Sequence, residues 1–153
     1  MDKPLSLKSN RTLHITYNLP INRTSKFWVG LKEGKIYVTK CEKCGRIHFP
    51  PVADCGDCGS SNMKWVELDG EGEIETFTQV IVKPPSFSKE PSYIVAIARL
   101  KEGVKALAWL TGVKREDVRL GMKVKLVAKV TSDGRVAYEF VPLQQTKVKI
   151  NDW

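Results

Sequence analysis

The sequence predicts a mainly β protein in which a short helix and a metal-held ribbon precede a small five-stranded barrel. Three observations carry that prediction. Four cysteines, and no others in the 153 residues, stand as two C-x-x-C-G units, Cys41 with Cys44 and Cys55 with Cys58. After Gly70 the chain becomes a succession of alternating or wholly apolar segments of strand length, rich in β-branched residues. Between the third and fourth of these lies a single helical turn, which is the element order of an OB-fold, a partly closed Greek-key barrel.

Each C-x-x-C knuckle sets two thiolates on one tight turn, and Gly45 and Gly59 let the backbone turn back. Ten residues separate the knuckles. Two such turns facing one another complete a tetrahedron of thiolates, the ligand set of a rubredoxin-like ribbon holding one structural Zn²⁺. With all four ligands from protein no position is left for water or substrate, so any chemistry has to be sought elsewhere. The competing readings are two disulfides and a redox dithiol. A reducing cytosol argues against the first, and a redox C-x-x-C would stand singly at a helix start near a βαβ pattern. A ribbon this short cannot carry its own core, and metal binding supplies it with roughly 10 kcal/mol of folding free energy. His48, between the knuckles, reads as a surface or packing residue rather than a ligand, and His14 carries no motif.

The elements follow in chain order. In residues 1–21, Leu13, Ile15 and Tyr17 alternate with Thr12, His14 and Thr16, the pattern of a short strand or of an arm laid on another surface. Thr24 or Ser25 can cap a short helix that carries Phe27, Trp28 and Leu31 on one face and stops at Gly34. Two large aromatics on so short a helix need burial, either on the chain's own body or in a partner's groove. Residues 35–39 read as a strand into the first knuckle, and 46–51 as a ribbon strand closed by the stiff Pro50-Pro51 turn. Barrel strands are expected at 73–82, with Ile74, Thr76, Thr78, Val80 and Val82 on one face, and at 93–100, almost wholly apolar. A third, at 104–111, sets Val104, Ala106, Ala108 and Leu110 against Lys105, Leu107 and Trp109. Residues 114–118 supply the helical turn, and strands at 123–130 and 135–141 are joined by the hairpin turn Ser132-Asp133-Gly134. The loop 83–91 holds three prolines, which keep it out of the sheet. The organisation is thus an arm and helix (1–34), a zinc ribbon (35–66), an OB-fold (67–143) and a polar tail (144–153).

The formal charge is +8. Four thiolates and one Zn²⁺ add about −2, which leaves the folded protein near +6. Such a balance favours anionic partners: nucleic acid, the phosphates of a coenzyme, or an acidic protein surface. The lysines are nevertheless scattered, with no block of five or six like charges, as on an ordinary solvated surface. No run of 18 apolar residues occurs, and Met1-Asp2-Lys3-Pro4 does not open a signal peptide, so a soluble cytoplasmic protein is expected.

The run Phe27-Trp28-Val29-Gly30-Leu31-Lys32-Glu33-Gly34-Lys35, the first knuckle with Gly45-Arg46-Ile47-His48-Phe49-Pro50-Pro51, and the second with Gly59-Ser60 point to a family. Together they resemble the amino-terminal helix and zinc ribbon of the acyl-CoA-associated zinc-ribbon/OB-fold family, long catalogued as a domain of unknown function. Residues 65–72, 93–96 and 116–122 are similar to that family's OB segments, so the resemblance spans roughly 24–142. Val52 departs from it, because a basic residue is common after the paired prolines. The resemblance implies a non-catalytic accessory subunit of thiolase-fold enzymes, like the archaeal subunit that bridges acetoacetyl-CoA thiolase and hydroxymethylglutaryl-CoA (HMG-CoA) synthase in the mevalonate pathway. Claisen condensation of two acetyl-CoA units is unfavourable, and a bridge that passes acetoacetyl-CoA straight to the next enzyme would pull it forward.

On that reading Phe27, Trp28 and Leu31 are the partner-binding candidates, and Lys83, Lys89 and Arg99, basic and near the second barrel strand, are candidates for the coenzyme's phosphates. The alternative is a single-stranded nucleic-acid-binding protein, since zinc ribbons and OB-folds both do that work and Tyr93, Trp109 and Phe77 could stack bases. Independent catalysis is not expected. The cysteines are committed to metal, no G-x-S-x-G, H-E-x-x-H or glycine-rich phosphate loop occurs, and Glu73 and Glu75, which share a strand face, have no partner base.

Overall fold

Helix α1 (Ser25–Lys32) is the first element in the computed structural model, which describes residues 16, 21–83, 91–131 and 134–143. The expected arm at 12–17 with His14 (Thr16 apart), most of the proline-rich loop with Lys89, the Ser132-Asp133 step and the tail lie outside the described residues. Thr24 stands at the helix start, but its hydroxyl donates back to the Ile21 carbonyl and does not cap the helix. What anchors the start is Arg23, whose guanidinium grips both carboxylate oxygens of Asp54 at 3.0 Å and the Ala53 carbonyl at 2.8 Å. Gly34 ends the turn with φ of 76°, as a left-handed stop requires.

The ribbon sheet has the order β2-β1-β3, from β1 (Tyr37–Cys41), β2 (Ile47–His48) and β3 (Met63–Glu67). Residues 63–67 thus pair along the whole of β1, a strand the alternation did not announce. Thr39, buried on β1, both donates to the Val52 carbonyl and accepts from the Val52 N–H, which fixes the Pro50-Pro51 turn to the sheet. The Phe49–Pro50 peptide is cis.

Five strands then close a barrel in the order β4-β5-β6-β8-β7: β4 (Glu71–Val80), β5 (Tyr93–Leu100), β6 (Lys105–Leu110), β7 (Lys123–Val130) and β8 (Val136–Pro142). A single 3-10 turn, Arg115–Asp117, sits between β6 and β7, so the OB-fold order is observed. The expected alternation in the first strand requires correction. A bulge at Glu75 breaks the β4–β5 register between Ile74 and Thr76, so the inward face passes from Ile74 to Phe77, and Thr76 and Thr78 face out. Val82 lies beyond the strand and is 92% exposed.

Ala96, Ala98, Leu100, Ala106, Ala108, Leu110, Val124, Leu126 and Phe140 fill the barrel, and Phe27, Leu31, Ile36 and Val38 belong to the same continuous core. Helix, ribbon and barrel therefore share one interior. At Gly72 the β4 and β5 backbones come so close that an added Cβ would lie 2.4 Å from the Arg99 carbonyl oxygen and 2.9 Å from Leu100 Cδ2. Gly72→Ala is expected to cost about 1–3 kcal/mol, read as a lower denaturant midpoint at unchanged slope; an unaltered midpoint would show that the barrel corner yields freely. No helix among the described residues is long and apolar enough to cross a membrane.

Candidate metal centre and exposed apolar face

The two knuckles fold identically because they share one hydrogen-bond pattern. In the first, the Cys41 N–H donates to the Arg46 carbonyl and the Gly45 N–H to the Cys41 carbonyl; in the second, Cys55 donates to Ser60 and Gly59 to Cys55, all at 2.8–2.9 Å. Gly45 and Gly59 have φ of 73° and 67°, so these turns do need glycine. Facing each other, they place Cys41 Sγ 3.5 Å from Cys58 Sγ and Cys44 Sγ 3.6 Å from Cys55 Sγ, with all four sulfurs within 4.8 Å of one another. Tetrahedral Zn–S bonds of about 2.3 Å put sulfurs about 3.8 Å apart, whereas a disulfide needs about 2 Å. The four cysteines fit one zinc ion.

Electrostatics agree with a dication at the centre. The Cys44 N–H, aided by the Cys58 thiol and the Lys43 N–H, lowers the Cys41 thiol to about 6 against the opposing effect of burial. Cys58 is pushed up to about 12: the Ser60 N–H favours its thiolate, but burial and the three neighbouring cysteines outweigh that bond. One thiolate forms readily and the last resists, which is the behaviour of a cluster that needs a cation to ionise fully. His48 Nε2 lies 3.4 Å from Cys55 Sγ, outside the set of four but against it.

The remaining sequence candidates are divided by the structure. Phe27 and Leu31 are 3% and 1% exposed, so they hold α1 to the chain's own body and are not available to a partner. Phe27 makes edge-to-face contacts with Phe49 of the ribbon and Tyr138 of the barrel, at 6.2 and 6.1 Å between centroids. Trp28 and Val29, on the other side of the helix, are exposed. Arg99 is held by Glu75, to whose carboxylate its Nε donates at 2.6 Å, and Lys83 lies just past β4. Glu73 is paired with Lys123, and Glu75 with Lys105 as well as Arg99; Lys105 first and then Arg99 hold the Glu75 carboxyl below its ordinary range. Phe77 is half-buried against the core with the Arg115 guanidinium over its ring, and does not join Tyr93 and Trp109.

One surface was not singled out from sequence. Strand register places Thr78, Val95, Trp109 and Glu139 in one row across the outside of the barrel and Thr76, Ile97 and Leu107 in the next. Leu107 is 58% exposed, and Tyr93 stacks on Trp109 with centroids 4.4 Å apart. The charges bordering these rows are paired: Lys129 bonds Glu139 at 2.7 Å, and Glu75 takes both Lys105 and Arg99, which leaves a net charge of one positive. The signal was available in the outward set Val95, Ile97, Leu107 and Trp109, apolar where a solvated barrel face would be polar.

Residues 28–64 match the family model described as ChsH2, rubredoxin-like zinc ribbon domain, and 65–129 that described as ChsH2, C-terminal OB-fold domain. The chain is 30% identical over 138 residues to a DUF35 domain-containing scaffold protein of Methanocaldococcus jannaschii, a match covering 85% of this chain and 98% of that protein. It is 32% identical over 107 residues to a probable enoyl-CoA hydratase alpha subunit of Thermomonospora curvata, covering 69% of this chain but 33% of that longer protein. Among solved structures, a chain of the Ltp2-ChsH2(DUF35) aldolase superposes with a TM-score of 0.68 at 26% identity, over 82% of this chain and 98% of that one. With its ribbon, its barrel and nearly the full length of a curated relative matched, the chain belongs to the DUF35 family of zinc-ribbon/OB-fold proteins.

Proposed function

We propose that this protein is a non-catalytic scaffold subunit of an acyl-CoA-processing complex, and that it docks a thiolase-fold enzyme through the outer face of β5 and β6. The observation that carries this reading is the apolar face itself. Val95, Ile97, Leu107 and Trp109 form a contiguous patch bordered by ion pairs, the composition of a protein interface with an apolar core and a polar rim. The relatives named as scaffold proteins, the hydratase subunit and the aldolase complex supply the setting of acyl-CoA enzymes. Acetoacetyl-CoA thiolase and HMG-CoA synthase are the specific partners proposed, with a CoA thioester passing between them. The stacked pair Tyr93 and Trp109 is the one feature that favours single-stranded nucleic acid. Against that reading, Lys129, which shares a cleft with Trp109, is already bonded to Glu139, so a phosphate backbone drawn to it would have to displace that carboxylate.

Affinity capture of the tagged protein from a nuclease-treated lysate of its own host tests the proposal. A thiolase-fold enzyme is expected in a stable stoichiometric complex, and Leu107→Glu, which puts a charge on the patch without touching the core, is expected to reduce its recovery at least roughly tenfold. A monomer that captures no such enzyme, and retains RNA or DNA when nuclease is omitted, would replace this reading with the nucleic-acid one.

A further inference from the structure

We propose that His48 donates its Nε2–H to the Cys55 thiolate, and that this bond sets how slowly the ribbon gives up its zinc. Register on β1 and β2 pairs His48 with Thr39, next to the first knuckle, and the imidazole reaches across to the second. Its Nε2 is 3.4 Å from Cys55 Sγ, a normal distance for a nitrogen donor to sulfur, and 3.7 Å from Asp57 Oδ2, beyond a bond to oxygen. The ring is largely enclosed and Cys55 is 2% exposed, so water does not compete for that sulfur.

Among the described residues, Asp57 also approaches Cys55, with Oδ2 at 4.0 Å, and a carboxylate has no proton to give a thiolate. Arg46 engages the opposite oxygen of Asp57 at 3.2 Å, so part of that carboxylate's charge is already paired and the sulfur is the nearer acceptor for the Nε2–H. A Zn(Cys)₄ centre carries about two negative charges, and on its buried side, at Cys41 and Cys55, hydrogen bonds to sulfur take the place of solvation by water. Partners of this kind, which do not touch the metal but fix its ligands, change metal affinity by about 10–100-fold.

The experiment uses the full zinc-loaded chain with two substitutions. His48→Phe keeps the bulk of the ring and removes the donor; His48→Gln restores an N–H at the position of Nε2. Zinc release into an excess of a chromophoric chelator is expected to be roughly tenfold faster for His48→Phe and close to the native rate for His48→Gln. In the Co²⁺-substituted proteins, the thiolate-to-metal charge-transfer band should move to longer wavelength in His48→Phe alone, because an unbonded thiolate gives up its electrons more easily. Equal release rates and an unmoved band in His48→Phe would reduce His48 to packing. Two metal ions per native chain and one in His48→Phe would overturn the proposal differently, by making His48, Cys55 and Asp57 ligands of a second ion.

Discussion

Chelation of the zinc is expected to unfold the ribbon and leave the barrel closed. Beyond the metal, β2 contributes two residue pairs to the ribbon sheet, and each knuckle segment, 41–46 and 55–60, has two backbone bonds of its own, with one more from the Glu42 N–H to the Asn62 carbonyl. Removing a structural zinc withdraws roughly 10 kcal/mol, more than so small a segment can replace. The barrel has a separate source of cohesion: its five strands close on one another in a sheet of their own, and its interior from Ile74 to Phe140 contains no metal ligand. Hydrogen exchange should therefore show loss of protection for amides in β1, β2 and the knuckles, with β4, β5 and β7 still protected. Cys41→Ser should give the same pattern and less than one zinc per chain. Affinity should also fall in acid. Cys41, lowered to about 6, is a thiolate above that pH and is held by a proton below it, so acid competes directly with the metal for this ligand. Protection of β1 and β2 that survives complete metal removal would contradict this account.

How much of this was legible beforehand depends on the range of the interaction. The zinc site is written in local spacing: two cysteines per turn, a glycine after each, and the positive φ values of Gly45 and Gly59 bear out the reason for those glycines. The barrel strands were legible from alternation, because half-buried strands must alternate. The bulge at Glu75 was not, since one inserted residue inverts the face without changing the composition, and Thr76 and Thr78 suit either side. Strand β3 hid in a segment whose burial is partial along its length, so Met63, Trp65 and Val66 give no clean period. The Arg23–Asp54 clamp spans 31 residues of sequence and has no local mark at all. The apolar outer face was visible as Leu107 and Trp109, but its extent became apparent only when strand register set them beside Ile97 and Val95.

The helix is the case where one substitution separates structure from function. Phe27→Ala is expected to destabilise the protein by about 3–5 kcal/mol, a fall of roughly 10–15 °C in the unfolding midpoint, because a large aromatic is removed from an interior that cannot collapse around the gap. Its ring touches Trp28 on its own helix, Phe49 on the ribbon and Tyr138 on β8, and Phe49 and Tyr138 also meet each other at 5.2 Å. Three segments distant in sequence are thereby joined by one aromatic cluster, so its loss should loosen α1 and the ribbon together against the barrel. Trp28 is 41% exposed, and among the described residues its ring meets that of Phe27 on its own helix and no aromatic ring of the barrel. Trp28→Ala should cost less than about 1 kcal/mol, as surface substitutions do. If the exposed edge of α1 extends the docking surface, it should also weaken enzyme capture at unchanged zinc content. Thermal unfolding of the two single variants, with zinc content and capture measured on each, keeps the roles apart. A Phe27→Ala protein as stable as the native one would mean that the helix is not part of the core, and the assignment of Phe27 and Leu31 to structure would fall with it.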